Sequence, residues 1–185
     1  MTGGPVWLSV QLAVVTVVVL LLIGTPLAWW LAISNSRWRS SVDAIVALPL
    51  VLPPTVLGFY MLILLGPNGA VGGPWFNLTG NTLTFSFSGL VITSVLYSLP
   101  FVVQPLRDAF RSVGAGPMEA AAMLGAKPLD AFFTVACPLA ARGFLTAIVL
   151  GFAHTLGEFG AVLMVGGSIP GETRVVAIAI YEHVE

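Results

Sequence analysis

Long apolar runs separated by short polar stretches set the pattern of the whole chain. Near-continuous apolar sequence covers about 8–33, 44–65, 85–106 and 143–165. A helix needs about 20 such residues to cross roughly 30 Å of hydrocarbon, so each run predicts a transmembrane helix. Together they predict an all-α, polytopic helical bundle. Trp7 and the Trp29–Trp30 pair flank the first run, where interfacial aromatics belong, and at about 1.5 Å per residue they lie roughly 33 Å apart. No basic residue precedes this run, and it far exceeds the apolar core of a signal peptide, so it reads as a span.

Prolines interrupt the pattern. The second run holds Pro49, Pro53 and Pro54, and each removes a backbone donor and crowds the preceding turn. This span is expected to be kinked or locally unwound, with its freed carbonyls facing protein or a watery cavity. Pro100 and Pro105 repeat the interruption more weakly in the third run. Two interrupted spans fit pathway-lining or moving helices, and ordinary proline kinks fit them equally well.

The polar stretches set the orientation. Loop 34–41 carries Arg37 and Arg39, and loop 107–142 carries Arg107, Arg111, Lys127 and Arg142. Loop 66–84 has no charge, and 166–174 has only Arg174 beside Glu172. Basic loops stay cytoplasmic, which places the N-terminus outside and 107–142 inside. The closing apolar stretch, from Val175 to Tyr181, is too short to span, and we expect a last span to be missing.

Composition confirms the solvent. Of 185 residues, 57% are hydrophobic and only 8% charged, far from the balance of a soluble domain. A net charge of −1 without a basic run argues against a nucleic-acid partner. The single cysteine, Cys137, permits no internal disulfide and no thiolate metal site. The chain has no Walker-type Gly-x-x-x-x-Gly-Lys, no His-Glu-x-x-His and no Gly-x-Ser-x-Gly, so no catalytic residue, cofactor or metal is expected.

The cytoplasmic segment 117–143 is the polar exception. Gly116 reads as an N-cap, Pro117 as a first helical residue and Glu119 as a first-turn carboxylate favoured by the helix dipole. Gly125 is a left-handed stop, Pro128 starts a second short helix with Asp130 in its first turn, and Pro138 limits that helix before the next span. The alanines allow close approach by another surface, and Met123 and Leu124 offer apolar contact. The plainer reading is a loop packed on its own bundle. In the fourth run, Glu158 stands between Gly157 and Gly160, with His154 one turn earlier. A carboxyl there must face protein or water, as a gate or lining position or as a hydrogen-bonded lock between helices. A metal pair at i and i+4 lacks a third ligand. The terminal "EHVE" reads as a polar chain end rather than a chelate.

Glu119-Ala120-Ala121, three residues, Gly125, nine residues, Val135, one residue, then Cys137 and Pro138 resembles the EAA motif of permease subunits in bacterial ABC importers. Cys137 stands where leucine is usual, a conservative change in bulk. "LPLVLPPTVLGFYMLILLGPNG", "SVLYSLPFVVQPLRDAF" and "GFAHTLGEFGAVLMVGGSIPGETR" are similar to the molybdate-transporting branch, with sulfate permeases the nearest competitors. The resemblance implies one transmembrane domain over 1–185, of the type I importer kind, in a bacterial or archaeal cytoplasmic membrane. It implies a second permease copy, two ABC ATPase subunits that hydrolyse ATP, an extracytoplasmic molybdate-binding protein and surrounding lipid. Molybdate is the expected substrate, with tungstate beside it. Glu119, Ala120, Ala121, Gly125 and Pro138 would then form the ATPase-coupling motif. Pro53, Pro54 and Glu158 are the candidates for the path or gate. The spans hold no interior Lys or Arg, so specificity would rest chiefly with the binding protein. An autonomous secondary transporter, which would move substrate without ATP, and a membrane enzyme, whose nucleophile–base set is not found, are the competing classes.

Overall fold

The computed structural model describes residues 4–184, which are joined by helices and turns with no strand among them. The first apolar run forms α1 (Pro5–Ile33), opened by a proline whose missing N–H would have been unsatisfied there anyway. The second run does not cross as one rod. Helix α2 (Arg39–Ala47) and a 3-10 turn (Leu48–Leu50) lead into a break, and α3 (Pro54–Leu65) leaves it at 107°. Pro53 is extended, as a residue before proline must be, and Pro54 opens the new helix. The unwinding expected from the prolines is present, as a sharp turn.

The uncharged loop contains a short helix, α4 (Gly72–Thr79), closed by Gly80. The third run departs from expectation. Helix α5 (Phe87–Val113) is continuous through Pro100 and Pro105 and runs well past 106. Ser86 caps it, accepting a hydrogen bond from the Gly89 N–H at 3.2 Å. Neighbouring helices pack along two of its sides, and that packing outweighs a cost of about 3 kcal/mol per interior proline.

Four short pieces follow: α6 (Gly116–Met123), α7 (Pro128–Ala131), a π turn (Phe132–Ala136) and α8 (Cys137–Leu139). The fourth run is divided. Helix α9 (Ala141–Gly157) stops, Glu158 is extended at φ −70° and ψ 127°, and α10 (Gly160–Gly166) resumes. The closing run forms α11 (Val176–Val184). Helices α1 and α5 are each long and apolar enough to cross a membrane. Two bent pairs, α2 with α3 and the Pro128–Leu139 stretch with α9, would raise the number to four if each crosses once.

Helices α1, α5 and α9 share the main core, built on Leu20, Leu31, Val102, Leu106, Phe110 and Ala147. Helices α3 and α10 share another, from Leu57, Met61 and Leu65 to Ala161 and Val165. A Cβ on Gly58 would lie 2.8 Å from the Cα of Ala161, so only glycine lets these two backbones approach so closely. Outward residues such as Val14, Val18, Leu22, Leu145 and Val149 are exposed and apolar, as a lipid-facing surface requires. At one end Arg107 of α5 pairs with Asp43 of α2 and, at 2.9 Å, with Asp108. That bridge places the 34–41 stretch and the start of 107–142 at the same end of the bundle.

Candidate functional site

The candidate residues fall into two places. The first is the segment between α5 and α9. Its N-cap is Ala115, one residue before the expected Gly116, so Pro117 is the second helical residue and Glu119 still lies in the first turn. The end of α6 is a Schellman motif. The Gly125 N–H donates to the Ala122 carbonyl at 2.9 Å and the Ala126 N–H to the Ala121 carbonyl at 3.0 Å. Gly125 has φ 85°, the left-handed conformation expected of it. Helix α7 starts at Pro128 with Asp130 in its first turn, also as expected.

Pro138 does not end the helical path. The chain stays helical through it to Leu139 and breaks at Ala140. The π turn just before Pro138 supplies the reason: its wider winding accommodates a ring that would clash with the preceding turn, and the absent N–H needs no partner there.

This segment has two faces. Ala121, Ala131 and Ala136 are buried, and Phe132 enters an aromatic cluster, its ring centre 5.1 Å from Trp29 of α1 and 5.8 Å from Phe110 of α5. Phe144 of α9 joins at 5.8 Å from Phe110. The inner face thus packs on its own bundle, as the plainer reading expects. The outer face is bare: Glu119 and Ala120 are exposed, and Met123 and Leu124 are 90% and 89% exposed. A shallow cavity of about 590 Å³, lined by Trp29, Phe110, Arg111, Met118 and Glu119, separates α6 from the ends of α1 and α5.

The second place is the break in the fourth run. Glu158 is 5% exposed, and neither of its oxygens has a hydrogen-bond partner among the described residues. The buried hydroxyl of Ser94 lies beside it without closing a bond. Pro54, Thr55, Tyr97, His154, Gly157 and Glu158 surround a cavity of about 500 Å³. Pro54 and Glu158 therefore meet at one cavity, whereas Pro53 is exposed just outside its lining. His154 is held by Ser98, whose hydroxyl lies 2.9 Å from Nδ1, and by Phe101, stacked at 3.9 Å. Because the helix stops at Gly157, His154 and Glu158 are not successive positions on one helical face.

Sequence reasoning missed Thr55, Tyr97 and Ser98 here and Phe132 in the segment between α5 and α9. A signal for the first group exists: Thr93, Ser94, Tyr97 and Ser98 form a polar stripe at i, i+4 spacing on an otherwise apolar helix. Nothing in the local pattern distinguishes Phe132 from Phe133, which is 66% exposed.

Comparison with known proteins assigns the family. Residues 24–183 match the family described as binding-protein-dependent transport system inner membrane component. The molybdenum transport system permease protein ModB of Azotobacter vinelandii is 58% identical over 178 residues, covering 96% of this chain and 79% of that protein. ModB of Escherichia coli K12 is 36% identical over 180 residues, with 97% and 79% covered. The sulfate transport system permease protein CysW of Escherichia coli K12 is also 36% identical, over 168 residues, with 91% of this chain and 57% of that protein covered. With two spanning helices, two bent pairs and a match over most of its length, this chain is a multi-pass membrane protein that belongs to the family of binding-protein-dependent transport system inner membrane components.

Proposed function

We propose that the chain is the membrane-spanning permease subunit of an ATP-driven importer of molybdate. It works as a pair, on two ATPase subunits, and receives the oxyanion from an extracytoplasmic binding protein. Relatives named for molybdenum transport, matched over nearly all of this chain, support the substrate. The observation that carries the mechanism is the two-faced segment 117–143. Its outer face, with Glu119, Ala120, Met123, Leu124 and the left-handed Gly125, offers a shallow apolar patch to an ATPase groove. Its inner face is wedged by Phe132 among α1, α5 and α9, so displacement of the segment is transmitted to the spans. Hydrolysis belongs to the partner, and this subunit converts the partner's closure into helix movement.

In this reading four spans cross, the N-terminus is outside, and the path runs past the breaks after Pro53 and at Glu158. Sulfate is the second reading, supported by the CysW similarity. Reconstitution of the full-length permease with its ATPase and binding protein in proteoliposomes tests both. We expect ATP-dependent molybdate uptake that a large excess of sulfate does not suppress. Suppression by sulfate at equal concentration assigns the sulfate reading, and uptake without ATP assigns a secondary transporter.

A further inference from the structure

The cavity at the broken fourth run has a composition that the permease reading leaves unexplained. Its one acidic group, Glu158, is nine-tenths buried and lines the cavity; the Ser94 hydroxyl lies beside it, and neither closes a hydrogen bond of ordinary geometry among the described residues. No Lys or Arg lines the cavity. The titratable groups facing Glu158 are Tyr97 of α5 and His154 of α9, while Pro54 and Thr55 of α3 and Gly160 of α10 bring none. An ionised carboxylate so placed would be desolvated with nothing to neutralise it, and it would repel any anion passing by.

The remaining lining is built of donors. Tyr97 and Thr55 bring hydroxyl groups, and His154, its Nδ1 paired with the Ser98 hydroxyl, has Nε2 left, which is a donor in the tautomer where Ser98 donates to Nδ1. Helix α3, 12 residues long, begins at Pro54 and Thr55 in the cavity wall, which puts the positive end of its dipole there; Pro54 has no N–H and the Val56 and Leu57 amides donate to the Pro53 carbonyl, so of the first turn only the Thr55 amide is left to the cavity. A mostly apolar cavity that lacks a cation but sets a few neutral donors at a helix N-terminus suits an anion held briefly. It fails to suit one only if its carboxyl is charged.

Resting on the reading of the chain as an oxyanion permease, we infer that this cavity is a station of the translocation path for a tetrahedral oxyanion, at which Glu158 carries its proton and donates a hydrogen bond to the substrate. The proton stays on Glu158. No bond to the substrate forms, and the oxyanion leaves as it entered. The station is weak by construction, with no fixed positive charge to trap a dianion, which is what a conducting site requires. Loss of the proton turns the same residue into a barrier, so passage depends on pH through one side chain.

The experiment uses the full-length permease with its ATPase and binding protein in proteoliposomes, and compares wild type with Glu158→Gln, Glu158→Ala and Thr55→Val. Uptake of radiolabelled molybdate is followed across about two pH units around neutrality, over which the substrate remains a dianion. Expressing each variant's uptake as a ratio to wild type cancels the pH dependence of the other subunits. The Glu158→Gln ratio should rise at least about fivefold from the acidic to the alkaline end, because an amide keeps its donor when the acid would ionise. Glu158→Ala should take up about tenfold less than wild type at the acidic end while keeping its binding-protein-stimulated ATP hydrolysis. Thr55→Val should lower uptake several-fold at every pH without changing the wild-type pH profile. A flat Glu158→Gln ratio, or Glu158→Ala equal to Glu158→Gln, overturns the inference. Failure of the isosteric Glu158→Gln complex to assemble overturns it as well, since the carboxyl would then be an ionised structural lock. If wild type moves sulfate and not molybdate, the substrate reading fails instead, and the same ratios measured with sulfate decide the station separately.

Discussion

Gly125 shows how much one position can carry. Its φ of 85° is a conformation that costs a residue with a Cβ about 1 kcal/mol or more, and asparagine much less. No atom lies within 4 Å of where its Cβ would be, so a side chain added there starts out into open space. Gly125→Trp should therefore insert in the membrane and purify normally, yet lose co-purification of the ATPase, because the indole occupies space reserved for the partner. Gly125→Asn should keep both. Glu119→Ala should be mild, since an exposed first-turn carboxylate contributes about 0.3–1 kcal/mol. Normal ATPase co-purification and ATP hydrolysis by Gly125→Trp would reduce the segment to a packing loop. This left-handed turn was legible in the sequence because its signal is local: a glycine after an alanine-rich helix, then Lys127-Pro128. The surroundings of Glu158 were not legible, because Thr55, Ser94 and Tyr97 reach it from helices distant in the chain, and an i, i+4 pairing with His154 assumed a helix that stops one residue too soon.

Phe132 anchors the π turn, α7 and α8 to the bundle, and in the proposed mechanism it is the point through which they act on the spans. Truncating this half-buried ring removes an edge contact with Trp29 and a tilted one with Phe110, at a cost of roughly 2 kcal/mol in stability. The outer face is untouched, so Phe132→Ala should still bind the ATPase and hydrolyse ATP. Uptake per ATP consumed should fall several-fold, measured by parallel phosphate release and molybdate counts. Equal losses of hydrolysis and uptake would show that Phe132 supports docking and not transmission. Prolines were the least faithful guide at this level. Pro53 and Pro54 do end a helix, where the next segment departs sharply. Pro100 and Pro105 do not, because α1 and α9 hold α5 in place, and Pro138 is absorbed by a π turn. Proline chemistry is local, but whether a helix breaks there is decided by its neighbours.

The bundle's two ends differ in charge. Arg37, Arg39, Arg107 and Arg111 gather at the end joined by the Asp43–Arg107 bridge, and the loop at 66–84 is uncharged. A single cysteine introduced at Asn68 should react with an impermeant thiol reagent added outside intact cells, and one at Arg111 should react only after lysis, each in a Cys137→Ser background. The reverse pattern would put the EAA segment where no ATPase reaches it and end the importer reading. The two breaks, finally, are neighbours in space: a Cβ on Gly160 would lie 3.0 Å from the Cβ of Pro54. Beyond the breaks α3 and α10 are joined backbone to backbone at Gly58, and Val162 seats α10 in one core with Leu12 of α1 and Leu90 of α5. The two stretches of unwound backbone, whose polar groups a lipid tail cannot pair, thus share one place in the molecule instead of two, beside the Glu158 carboxyl.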